Sequence, residues 1–108
     1  MNRGDIFLVT IPGRTPDGRE IAKTRPRVVI SIPELNAARS SVVMLPLTSN
    51  GKFAPPIAIS VPSAGKDSAA VCDQLLAVDK RHIGKQIEKL SAPDLDLVDE
   101  SLKLLLGL

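Results

Sequence analysis

Along most of the chain, apolar positions come in short bursts broken by Gly, Pro and charge; only the last stretch keeps a helical period. Residues 5–11 are rich in β-branched and large apolar side chains and are closed by Pro12-Gly13, which predicts a first strand. Residues 12–24 hold two Gly, two Pro and five charges with little periodicity, which predicts a long exposed loop. Arg25-Pro26 then leads into an apolar run at residues 27–32, a second strand. Pro26 lacks an N–H, so it suits the mouth of that strand, where it holds Arg25 at the entrance. Glu34, Leu35, Ala37 and Ala38 favour a short helical turn within residues 33–40.

Residues 42–48 make a third strand, with Pro46 near its end and the polar pair Thr48-Ser49 at its exit. Ser49-Asn50-Gly51-Lys52 is a turn signal. A fourth strand is expected at residues 57–61, a polar turn at 62–68 and a fifth strand at 69–74. Residues 75–80 continue or bend that strand, and Val78, Ile83 and Ile87 supply further core contacts. In the tail, Leu95, Val98, Leu102 and Leu105 fall on one helical stripe. Ser91 is the expected N-cap, Asp94 stands three residues on as in a capping box, and Gly107 can end the helix. The pattern predicts one mainly β domain over residues 1–108, a small β-barrel or strongly bent sheet with a C-terminal α-helix packed on it.

Composition narrows what such a fold can do. The chain has no Trp, no Tyr and only Phe7 and Phe53, so its core is Val, Ile, Leu and Ala. That excludes an RNA reader built on a platform of stacked aromatics. Net charge is +2, with eight Lys/Arg against four acids in residues 1–52 and six against eight in residues 53–108. A basic N-terminal half permits a polyanionic partner without requiring one. Cys72 is the single cysteine and His82 the single histidine, which rules out an internal disulfide and a Cys- or His-rich metal site. Cys72 sits among apolar neighbours as a buried, inert thiol. The N-terminus shows no signal peptide and no stretch reaches membrane-span length, so the chain is expected in the cytoplasm.

The candidate chemistry lies at the strand mouths. If the second and third strands are neighbours, the Arg25 guanidinium and the Thr48 hydroxyl meet at one end of the sheet. Lys23, Arg27, Lys52 and Phe53 lie near these mouths; if the partner is RNA they line its path, Phe53 by stacking on a base. Asp73 is the best-placed carboxylate for base or positioning work, and otherwise caps a turn. His82 has no second histidine for paired acid–base catalysis and is expected to be a packing or electrostatic residue.

Four blocks in order give these residues a resemblance to the MazF/PemK (Kid-type) toxin family of bacterial toxin–antitoxin modules. They are Arg3-Gly4-Asp5-Ile6, Lys23-Thr24-Arg25-Pro26 leading into Val28-Val29-Ile30-Ser31, Pro46-Leu47-Thr48-Ser49, and Asp73-Gln74 followed by Val78-Asp79-Lys80. The terminal helix, residues 94–108, is also similar to the family's last element. The resemblance implies an SH3-like β-barrel, normally a homodimer, that cuts single-stranded RNA at short motifs without metal or other cofactor. It implies 2′,3′-cyclic phosphate and 5′-OH ends, and inhibition by a co-expressed antitoxin, whose acidic tail would suit the basic half of this chain. It assigns catalysis to Arg25 and Thr48 and places Ser49 beside them in the RNA site. In one branch of the family the Asp at position 73 works with an Arg two residues earlier; here that position is Val71. A non-catalytic gyrase-poisoning toxin on the same barrel, or a member that binds RNA or antitoxin but cuts poorly, remains the alternative.

Overall fold

Ile6, Phe7 and Val9 are all buried in β1 (Asp5–Arg14), which explains the unbroken apolar run: this part of the strand is covered on both faces. The structure is a computed structural model that describes residues 1–49 and 54–108. The remaining elements are β2 (Glu20–Val29), α1 (Pro33–Ala38), β3 (Ser41–Thr48), β4 (Ala58–Ser60), β5 (Ala69–Val71), β6 (Leu76–Asp79), β7 (Ile83–Lys89) and α2 (Ala92–Leu106). The ladders are antiparallel and run β4-β5-β3-β2-β1-β7, with β6 on β3. One edge of β3 is divided between two strands: Ser41–Met44 pair with β6, and Leu47 and Thr48 with β5. The fold is mainly antiparallel β-sheet with a C-terminal helix, as the sequence pattern predicts.

Alternation along the strands sorts the core onto two faces. Ile6, Val28, Leu45, Val61, Ala70, Cys72, Leu90 and Val98 form one aliphatic cluster, against which Leu95, Leu102 and Leu105 of α2 pack. Phe7, Val9, Val29, Val42, Met44 and Val78 form the other, with Ile11 and Ile83 against it. The predicted helical stripe is therefore the contact face of α2. Ser91 caps that helix by accepting from the Asp94 amide at 3.3 Å. The reciprocal arm of the expected capping box is rerouted: Asp94 Oδ2 accepts from the Ser63 amide at 2.9 Å and from the Ser63 hydroxyl. That hydroxyl oxygen accepts the Ser91 amide at 3.0 Å, so one serine from another segment completes the cap. Gly107 ends the helix at φ 72°, and the Leu108 amide reaches back to the Lys103 carbonyl at 2.8 Å.

Three expectations need correction. Residues 12–24 are no loop: β1 and β2 pair out to Arg14↔Glu20, leaving Thr15–Arg19 as the turn. The cue was Pro16-Asp17-Gly18, a tight turn with Gly18 at φ 87°, but the flanking residues lack strand alternation because no second layer covers them. Residues 69–80 are not one bent strand: a 3-10 turn, Cys72–Gln74, carries the chain from β5 to β6, on the other half of β3. β7 is a strand at residues expected only to supply core contacts, and although Ile83 packs as expected, Ile87 is 44% exposed. β7 pairs with β1 through two register shifts, and its mixed charges suit an exposed edge.

Candidate active site

Arg27 and Pro46 form the outermost rung of the β2–β3 ladder, followed inward by Val28↔Leu45 and Val29↔Met44. The same register, carried two residues outward, sets Arg25 opposite Thr48. The sequence pattern puts Arg25 and Pro26 at a strand mouth, but β2 begins at Glu20, so both lie within it, Arg25 opposite Val9 and Pro26 opposite Leu8 of β1. Thr48 does end β3, and the adjacency and register come from the fold. Both prolines sit where a missing N–H is tolerated: Pro26 lies one residue outside this ladder and Pro46 at its limit.

Arg25, Arg27, Thr48 and Ser49 all line a cleft of about 560 Å³. Its apolar wall includes Ile6, Pro26, Leu47, Val71 and Ile87; Ser68, Gln74 and Glu88 add polar groups. Arg25 is exposed and Arg27 half-buried. Arg27 Nε is shut off from solvent with no hydrogen-bond partner among the described residues, and burial holds the guanidinium below the usual arginine range. Neither arginine forms an ion pair among the described residues. The cleft therefore holds two guanidinium groups with no ion-pair partner among the described residues, near Thr48 and Ser49, a set whose chemistry suits a phosphate diester.

Other predicted residues lie elsewhere. Lys23 is two positions beyond Arg25 on the same face of β2 and borders a neighbouring groove. Asp73 is exposed on the Cys72–Gln74 turn; its neighbour Gln74 lines the cleft, Asp73 itself does not. The carboxylate in the lining is Glu88, which sequence reasoning missed because the strand that carries it lacks an apolar period. His82 lies at the Lys80–His82 corner, in a separate depression with Thr10 and Arg81. Lys52 and Phe53, with the predicted turn through Asn50 and Gly51, lie outside the described residues. Cys72 is fully buried and its thiol is pushed up to about 11, by burial first and by the Asp73 charge second. Among the described residues no cluster of three His, Cys, Asp or Glu side chains is arranged to hold a metal ion. No helix there is long and apolar enough to cross a membrane.

Comparison with known proteins places the chain in a family. A family model described as the PemK-like, MazF-like toxin of type II toxin–antitoxin systems matches residues 2–106. The endoribonuclease MazF9 of Mycobacterium tuberculosis is 33% identical over 118 aligned positions, covering 100% of this chain and 98% of that protein. The endoribonuclease PemK of Escherichia coli is 33% identical over 95 positions, covering 83% of this chain and 70% of PemK. In three dimensions, a MazE–MazF crystal structure from Deinococcus radiodurans superposes with a TM-score of 0.82 at 22% identity, covering 100% of this chain and 97% of that one, a likeness of fold.

Proposed function

The chain belongs to the PemK-like, MazF-like toxin family of type II toxin–antitoxin systems, and from that premise we propose that it is a metal-independent endoribonuclease that cuts single-stranded RNA at short motifs. The observation that carries the proposal is the convergence of Arg25 and Thr48 on one cleft from adjacent strands. In the reaction the 2′-oxygen bonds to the neighbouring phosphorus and the P–O5′ bond breaks, leaving a 2′,3′-cyclic phosphate and a 5′-OH. The 2′-OH proton passes to a base, and the departing 5′-oxygen takes up a proton. Arg25 offers a planar fork that stays cationic and stabilises the charge that builds on the phosphorane oxygens. Thr48 donates a hydrogen bond to a phosphate oxygen; its hydroxyl is far too weak a base to take the proton. Ser49 and Arg27 extend the same wall toward the flanking nucleotides. The base is a carboxylate at the cleft, and Glu88 is better placed than Asp73 because it is part of the lining.

The partner that silences the enzyme is proposed to be an antitoxin whose acidic tail lies across the basic N-terminal half, with the toxin acting as a homodimer. The test is incubation with long unstructured RNA in EDTA, followed by mapping of fragment ends. Discrete cuts with 5′-OH ends are expected. Arg25→Ala should lower kcat/KM by about 10²–10³, the loss typical for one donor to an anionic transition state. Glu88→Gln should reduce the rate more than Asp73→Asn. RNA left intact across varied sequences, together with inhibition of gyrase, would overturn the nuclease assignment.

A further inference from the structure

The register of the β1–β2 hairpin places three cations on one face of β2, each beside an apolar or aromatic partner on β1: Lys23↔Ile11, Arg25↔Val9 and Arg27↔Phe7. Two residues of strand span about 6.6–6.8 Å, so the cations form an evenly stepped row. A step of that size is comparable with the spacing of successive phosphates along an extended single strand. None of the three is paired with an acid among the described residues.

The row separates two concavities. On one side is the 560 Å³ cleft with Thr48, and on the other a groove of about 310 Å³ between Val9, Ile11, Gly13, Ile21 and Lys23. Arg25 and Arg27 border both. Gly13 faces Ile21 across the hairpin and keeps the groove open by having no side chain.

We propose, resting on the ribonuclease assignment above, that this groove is a second substrate subsite. It takes the nucleotide next to the cut, with the base on the apolar floor of Ile11 and Ile21 and its phosphate on Lys23 and Arg25. Arg27 stands at the joint, where a cation without an acidic partner is neutralised by the RNA backbone itself. With so few aromatics in the chain, aliphatic side chains and guanidinium planes take the place of a stacking platform.

The test uses synthetic strands in which a single ribonucleotide, at a site the enzyme cuts, is set among 2′-deoxynucleotides, and which grow one nucleotide at a time on either side. For the unaltered protein, kcat/KM is expected to step upward as the strand extends on one side only. Gly13→Leu fills the groove, and its Cβ meets Ile21 at ordinary contact distances of 3.7 and 3.9 Å. That variant, checked for folding by far-UV circular dichroism, is expected to lose the step. Lys23→Gln should also reduce it and flatten the dependence of log K on log salt concentration by about 0.7, as for one lost phosphate contact on a single strand. Identical increments in both variants and the unaltered protein would overturn the subsite. A change of oligomeric state in Gly13→Leu would also overturn it, by giving the groove to a second copy of the chain. Binding of all-deoxy strands, measured in parallel, separates the two ideas: length-dependent binding without cutting defeats the nuclease and keeps the groove. Binding indifferent to length, or absent, defeats the groove.

Discussion

Arg25 is exposed and unpaired among the described residues, whereas Arg27, two positions along, is half-buried with a shielded Nε, and this contrast separates function from stability. Removing Arg25 costs the fold little, since exposed side chains without partners typically shift stability by no more than about 0.5 kcal/mol. Its loss should register in cleavage alone. Thr48 was legible in the sequence as a strand end, whereas Arg25 and Arg27 stood out as cations beside Pro26 but lie inside β2, because proline here marks the limit of pairing with β3 and not the start of the strand. Glu88 was not legible: a carboxylate on an edge strand has no neighbours in sequence that betray the cleft it borders. Cys72 carries a pH prediction. Its folded pKa, raised to about 11, lies above that of an unfolded thiol, so the folded state holds the proton longer. The stability linked to that proton is fully present below the unfolded pKa, near 8.5, and is lost as pH rises through the folded value. Urea midpoints measured between pH 9 and 11 should therefore fall more steeply for the native chain than for Cys72→Ala. At pH 8 the folded thiol should react with a disulfide reagent only on unfolding.

At the level of elements, the features read correctly are those whose residues must satisfy a packed layer. The stripe of α2 shows its period because one face is buried, and the apolar half of β1 and the strands flanking α1 show as apolar runs because both faces are. The outer half of the β1–β2 hairpin and most of β7 are held mainly by backbone pairing, and backbone hydrogen bonds leave little trace in side-chain pattern. The α2 cap was half legible. Ser91 was in view, but its completion by Ser63 came from a segment 28 residues away. That geometry predicts that Ser63→Ala and Ser91→Ala each destabilise by roughly 0.5–2 kcal/mol in chemical denaturation. Because both act on one network, the double variant should lose less than the sum of the two singles.

Across the whole molecule, Arg3 joins the sheet to the helix. Its Nε donates to the Ile30 carbonyl at 2.8 Å, while its two terminal nitrogens hold both oxygens of Asp99 on α2. The pair is about one-third exposed, and charged hydrogen bonds of this kind contribute roughly 1.5–3 kcal/mol before solvent screening trims them. Arg3→Ala should therefore lower the urea midpoint, by less in 1 M salt than in 0.1 M. The Ser63 hydroxyl makes a second tie, and its meaning extends to motion. It belongs to the Pro62–Ala64 turn, and Ala64 and Ser68 are part of the cleft wall. When the first turn of α2 frays, that wall loses its anchor in the same event. Amide hydrogens of Ala64 and Ser68 should then exchange with solvent in step with those at the start of α2, and faster in Ser91→Ala. On that outcome the helix end is a latch on the cleft, and the rate at which the latch opens sets how long the wall keeps one shape.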